Sequence, residues 1–311
     1  MICTSTQILL PIFSLGYPET AEILISHTLP SPRTLIALLA KGLGEIMGLK
    51  PEQEIHGAPV RLVFQWVLES SSYAFSHPLS PIKKSFQMWR VFWLEKEYLL
   101  KKEKQGKGQR EIEGLRDAVE VEVVSLNKIS AYIFIDLNKV NILLRKYLPN
   151  SNLTEKDIES AFMTVQLIGK SEMLATPITV KTFNKFNIIG SLGKINVYCP
   201  YEWIKKPPKE GLEEEMLVHI NLLPNHIKSA IDEPKKMLKV KLPGREEIES
   251  RRVKARFILP LSLMREISYH GKIIEYFKQK DIDVELKDDF TIVETIDGGK
   301  VPLPKTFLEG C

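Results

Sequence analysis

Cysteine is scarce in this chain. Only Cys3, Cys199 and Cys311 occur among 311 residues, and none has a second Cys or a His nearby at metal-ligand spacing. This excludes a disulfide framework and a cysteine-based zinc site, and it predicts a reducing compartment, the cytoplasm. Long apolar runs are missing as well. None approaches the roughly 18–20 residues that span a bilayer, so no membrane partner is expected. The apolar stretch 8–15 has no basic segment before it, so a signal peptide is not expected either. Net charge is low, at +4 with a pI near 8.7. Such a balance does not by itself imply nucleic acid; the distribution of charge has to do that. Enzyme signatures are also lacking. There is no G-x-S-x-G, no H-E-x-x-H and no pair of histidines at helical ligand spacing. Gly190-Ser191-Leu192-Gly193-Lys194 has neither the glycine spacing nor the following Ser/Thr of a phosphate loop and reads as a turn. No metal, cofactor or catalytic residue is therefore expected.

What is present is an ordinary globular balance, 44% hydrophobic and 26% charged, enough for a core. A strand is expected over 6–15. Ser31 is placed to cap a helix over 32–47, with Pro32 in the first turn and Leu35, Leu38, Leu39 and Leu43 on one face. Residues 60–68 fit either a buried strand or a helix, and 73–81 reads as irregular because of its prolines. Strands follow at 119–124, 129–135, 165–168 and 178–182, with helices at 138–147 and 155–163. Pro200, Pro207, Pro208 and the acidic run Glu213-Glu214-Glu215 mark a boundary near 200. Beyond it lie short strands and one helix, 263–279. No segment reads as a βαβ dinucleotide unit, so the fold class is α+β.

The feature with chemical content lies between these elements. Residues 83–110 contain Lys83, Lys84, Arg90, Lys96, Lys101, Lys102, Lys104, Lys107 and Arg110 against Glu95, Glu97 and Glu103, a local charge of +6. Phe86, Trp89, Phe92, Trp93 and Tyr98 are interleaved with them. Cations neutralise phosphates and aromatic rings stack on unpaired bases, the combination that single-stranded nucleic acid requires. The competing reading is a solvated face whose aromatics point into the core. Ser31 and Arg33, at the first helix's N-terminus, are expected beside RNA phosphates or a neighbouring subunit. His27 and His77 are the two candidates for a general base if the chain cuts RNA; a loop histidine with no chemistry is the alternative.

Three features together resemble one family, the fifth Cas family of the RAMP superfamily, the CRISPR-associated backbone subunit that caps the crRNA 5′ handle in Cascade-type effectors. Leu29-Pro30-Ser31-Pro32-Arg33-Thr34-Leu35-Ile36-Ala37-Leu38-Leu39-Ala40 is similar to that family's P-P-S-T-[LI]-[LI]-G-x-L lead-in to its first helix. Gln166-Leu167-Ile168-Gly169-Lys170-Ser171-Glu172-Met173-Leu174-Ala175 is similar to its R-x-G-x-[SR]-E segment, with Gln166 in place of Arg. The basic and aromatic insertion falls between them, where the family carries a thumb. The resemblance is greatest to the archaeal type I-A branch. It implies a ferredoxin-like (RRM-like) domain over 1–200 with a thumb at about 76–118, and a smaller β-rich region over 201–311. It implies crRNA as ligand, with Lys170 joining Ser31, Arg33, Lys83, Lys84, Arg90, Lys101, Lys102, Lys104 and Lys107 as expected contacts. Other Cascade subunits, backbone and large, are the implied partners; target DNA is engaged indirectly, in antiviral defence and without catalysis. Two alternatives stand beside it: a metal-independent endoribonuclease that processes repeat RNA, and a protein-interaction module without RNA.

Overall fold

The computed structural model describes residues 1–14, 23–24, 26–50, 52–92, 116–166, 174–241, 247–248, 253–267 and 273–309. The first strand, β1 (Ile2–Leu9), starts and ends earlier than residues 6–15 suggest, and both of its faces are covered over most of its length. Helix α1 (Pro32–Ile46) begins as its sequence dictates. Ser31 is extended, its side chain accepts the Thr34 N–H, and Pro32 fills the first turn, where a missing N–H costs nothing.

Residues 60–68 resolve as the start of helix α2 (Val60–Ser71). Val60, Val63, Phe64, Val67 and Leu68 recur at helical spacing and all are buried, a period no strand could bury on one face. The hydroxyls of Ser71 and Ser72 turn back onto the carbonyls of Val67 and Leu68 as the helix ends. The chain then enters β2 (Ser72–Pro78), every residue of which is buried. The prolines do not make this stretch irregular. Pro78 is the last residue of a strand at a sheet edge, where proline disturbs the ladder least.

An arm follows, β3 (Lys83–Phe92) paired antiparallel with β4 (Arg116–Ser125) from Lys83 opposite Ser125 to Phe92 opposite Arg116. The other edge of β4 takes Ile12–Phe13 and, in parallel, Ile23–Leu24. Then come β5 (Lys128–Ile135), α3 (Leu137–Arg145), α4 (Glu155–Met163) and β6 (Thr176–Phe183). Helix α4 starts in a full capping box between Thr154 and Asp157. Four of these strands form one antiparallel sheet ordered β6-β1-β5-β2. In order of appearance that is 4-1-3-2, with helices joining the first strand to the second and the third to the fourth. The arm is inserted between the second and third.

The last third is built of small antiparallel sheets. The described residues of 263–279 lie in two paired antiparallel strands, β7 (Leu261–Ile267) and β8 (Ile273–Gln279), and not in a helix. Leu261, Leu263, Ile267, Ile273, Ile274, Tyr276 and Phe277 are mostly β-branched or aromatic, and that preference prevails over a helical spacing. This strand pair joins the arm's base, where Ile82 and Phe277 exchange two backbone hydrogen bonds of 2.8 Å. No helix among the described residues is long and apolar enough to cross a membrane.

Together with residues 186–203, this region covers a face of the four-stranded sheet. The pairing registers put Tyr73, Cys3 and Phe134 on one row and Phe75, Ser5 and Tyr132 on the next. Tyr73 meets Phe307 and Trp203 at 4.9 and 5.9 Å, Phe75 meets Tyr198 at 5.9 Å, and Phe134 meets Phe186 at 5.5 Å. Ser5 hydrogen-bonds Asp297 in the turn that follows strand Phe290–Glu294. The buried side chains of the sheet and of the last third form one continuous core across the expected boundary at 200. Gly299 is where the turn comes closest: a Cβ there would lie 2.5 Å from Tyr132 Cζ. Gly299→Ala should therefore cost about 1–3 kcal/mol, read as a lower midpoint in one cooperative urea transition. An unchanged midpoint, or separate transitions for the two halves, would contradict this packing.

Candidate nucleic-acid interface

The base of the arm meets the lead-in to α1 in a buried polar cluster held by three carboxylates. Glu122, on β4, accepts the Ser26 N–H at 2.9 Å and the Lys84 ammonium at 3.3 Å; Lys84 also donates to the Ser26 carbonyl at 2.9 Å. Glu214, on the strand Leu212–Leu217, accepts the Thr28 N–H at 2.9 Å and lies 3.1 Å from His27 Nδ1. Glu69, on α2, lies 3.1 Å from Arg33 Nε and accepts Gln65 Nε2 at 2.6 Å and the Ile220 N–H at 3.2 Å. The arm, α2 and the last third thus each send a carboxylate to residues 26–33. Burial alone would raise the Glu214 carboxyl, but hydrogen bonds from His27 and Thr28 and the Lys84 charge outweigh it and hold it below its usual value. At Glu69 burial prevails over Arg33 and raises the carboxyl.

Three of the residues expected at RNA, Ser31, Arg33 and Lys84, lie in or beside this cluster. Ser31 is fully buried and its hydroxyl is committed to Thr34, at 3.2 Å to the N–H and 2.9 Å to Oγ1. Arg33 is 6% exposed and ion-paired with Glu69. Both side chains, expected beside RNA phosphates or a neighbouring subunit, are thus engaged within the chain. Lys84 is half-buried and committed to Glu122 and Ser26. Lys83 is exposed at the foot of the arm. Arg90 lies further along β3, opposite Ala118. Lys101, Lys102, Lys104, Lys107 and Lys170 fall outside the described residues.

Both candidate bases are enclosed. His27 is 1% exposed and sits against Glu214. His77 is 8% exposed and stacks on Tyr132 at 5.7 Å. Burial, against the pull of Asp297 and Asp281, lowers its pKa to about 4. His219 is wholly buried, and burial with the Arg33 charge lowers its pKa to about 3. Among the described residues no group of His, Cys, Asp and Glu is placed to hold a metal ion.

The three carboxylates and His219 were not singled out from the sequence. Glu69 had a readable signal, a lone carboxylate on an apolar helix. Glu214 had a weaker one, the middle position of an acidic run in which its neighbours Glu213 and Glu215 face solvent.

No protein-family model matches the chain, and no curated protein matches it. Among solved structures it is similar to a CRISPR protein from Archaeoglobus fulgidus, at 12% identity and a TM-score of 0.45, over 98% of this chain and 100% of that one. It is also similar to a chain of a CRISPR RNA-guided surveillance complex, at 8% identity and a TM-score of 0.37, over 82% of this chain and 88% of the other. Both scores lie below 0.5, and neither likeness assigns a family or an activity.

Arg33→Ala should destabilise the protein by about 3–5 kcal/mol, because Glu69 would stay buried without its cation; Arg33→Met with Glu69→Leu should recover most of that loss. Denaturation of the three variants checks it, and a mild single mutant would show the pair to be dispensable. The pH dependence follows from His77. Its pKa is lower folded than unfolded, so the unfolded chain binds the extra proton. Stability is therefore full above about pH 6.5 and falls as the pH drops toward 4. His77→Phe should lessen that slope by up to about 1.4 kcal/mol per pH unit; an unaltered slope would contradict a buried neutral imidazole.

Proposed function

We propose that this chain is a non-catalytic RNA-binding subunit of a type I CRISPR interference complex that caps the 5′ handle of crRNA. One observation carries the reading: the arm is inserted between the second and third strands of a sheet ordered 4-1-3-2. That order, with its two helical crossovers, is the ferredoxin-like (RRM-like) arrangement. An arm inserted at this point supports its reading as the thumb of the family that the sequence resembles. RRM modules bind RNA on aromatics of the open sheet face, and here that face is filled by Phe186, Tyr198, Trp203 and Phe307. The +6 segment of which the arm's first strand is part is then the surface suited to RNA. Other subunits of the complex are the protein partners, and target DNA is met through the RNA.

Enclosure of His27 and His77 supports the non-catalytic reading, since a general base must come within about 3 Å of the 2′-hydroxyl it deprotonates. Replacing Lys101, Lys102, Lys104 and Lys107 with Ala should weaken binding of labelled repeat RNA and flatten its salt dependence by about 0.7 per lost phosphate contact. The RNA should stay intact in EDTA. Equal affinity and slope in the variant would remove RNA binding from the arm, and site-specific cleavage would replace the scaffold with a nuclease.

A further inference from the structure

Away from the arm, a tight turn carries the one non-glycine residue with positive φ among those described. Two short strands, Glu54–Ile55 and Ala58–Pro59, pair across His56 and Gly57, whose φ values are +50 and +70°. Two successive left-handed residues define a type I′ turn, whose first position favours Asn, Asp or Gly. Histidine there holds an imidazole at the rim of a cavity of about 300 Å³, lined also by Lys146, Tyr147, Glu233 and Lys235. That is the lower end of the range for small-ligand sites.

The lining has the chemistry of a ribonucleotide site. Tyr147 packs edge-on between the His56 and Trp66 rings, at 6.1 and 5.9 Å, so an aromatic wall is already braced. Lys146 and Lys235 are exposed, and neither is in an ion pair. By contrast, neighbouring Asp232 is neutralised by Lys236 at 2.5 Å. Lys235 reaches over the turn: a Cβ on Gly57 would lie 2.7 Å from its Nζ. Glu233 is exposed and likewise outside any ion pair; with Asp232 it raises the Tyr147 hydroxyl's pKa, after burial. A bland reading, a surface turn beside two solvated lysines, accounts for each feature singly. It does not account for a left-handed histidine, an aromatic wall, two unpaired ammonium groups and one carboxylate on the same cavity.

We propose that this cavity binds one ribonucleoside monophosphate unit, with the base against Tyr147 and His56, the phosphate on Lys146 and Lys235, and Glu233 accepting from the ribose 2′-hydroxyl. Its source is either a free nucleotide or the phosphorylated end of an RNA strand, since both present the same groups. The inference does not depend on the function proposed for the arm.

Isothermal titration of the full chain with adenosine 5′-monophosphate tests it. Saturable binding with a Kd below about 1 mM is expected, and 2′-deoxyadenosine monophosphate and inorganic phosphate should bind several-fold more weakly. Lys146→Ala with Lys235→Ala should weaken the monophosphate about tenfold or more, as loss of charged hydrogen bonds predicts. Gly57→Ala, which displaces Lys235, should weaken it in the same direction. The arm's quadruple lysine variant should bind the monophosphate as the wild type does, so failure of one site is read separately from failure of the other. Tighter binding of a 5′-phosphorylated tetranucleotide than of the monophosphate assigns the strand end; the reverse assigns the free nucleotide. No saturation by either ligand, or undiminished binding by the double lysine variant, overturns the site, and equal affinity for the deoxy analogue overturns the role of Glu233.

Discussion

The residues that follow the fourth strand, Phe186, Tyr198, Trp203 and Phe307, pack onto the aromatic face of the four-stranded sheet, and that contact governs the rest of the structure. Tyr73, Phe75, Tyr132 and Phe134 lie on one face of β2 and β5, where their alternation would leave a broad apolar surface in water. Tyr198, Trp203, Phe186 and Phe307 take that surface out of water. At roughly 1.5–3 kcal/mol for each fully buried large side chain, this burial is a major part of the stability of both halves. The contact also fixes where a ligand can go. A sheet whose rings are engaged internally has no stacking platform to offer, and the proposed RNA binding therefore falls to the arm.

The foot of the arm is anchored. Lys84 and Glu122 bind each other and the backbone of Ser26. Glu214 and Glu69 hold the residues just beyond, from the last third and from α2. Removing one partner of such a buried pair leaves an uncompensated charge. The lead-in to α1 is therefore tied to three separate parts of the chain. The proline-rich segment that looks in sequence like a contact surface is the point where the arm and both halves of the core meet.

Much of this was legible in the residues. Ser31 and Pro32 define the start of α1, the helix expected over 155–163 is α4, and the strand expected at 119–124 lies within β4. What failed did so for identifiable reasons. Arg33 reads as a cation at a helix N-terminus until Glu69, 36 residues away in sequence, is brought beside it by the packing of α2 on α1. Residues 263–279 have apolar positions that suit a helix or paired strands, and pairing with Ile82 favours the strands. Pro78 argues against a strand only if that strand is central, and strand order is a tertiary fact. The cavity at His56 was invisible because its lining comes from the three separate segments 56–58, 146–147 and 233–235.

The most direct test of this account is ultraviolet cross-linking of the full chain to labelled single-stranded RNA, with the cross-linked peptides mapped by mass spectrometry. Cross-links within 83–125, with none at Tyr73, Phe75, Tyr132 or Phe134, are the predicted result. Cross-links to those four aromatics would mean that the residues after the fourth strand do not close the sheet face when RNA binds, and would contradict the account at its foundation.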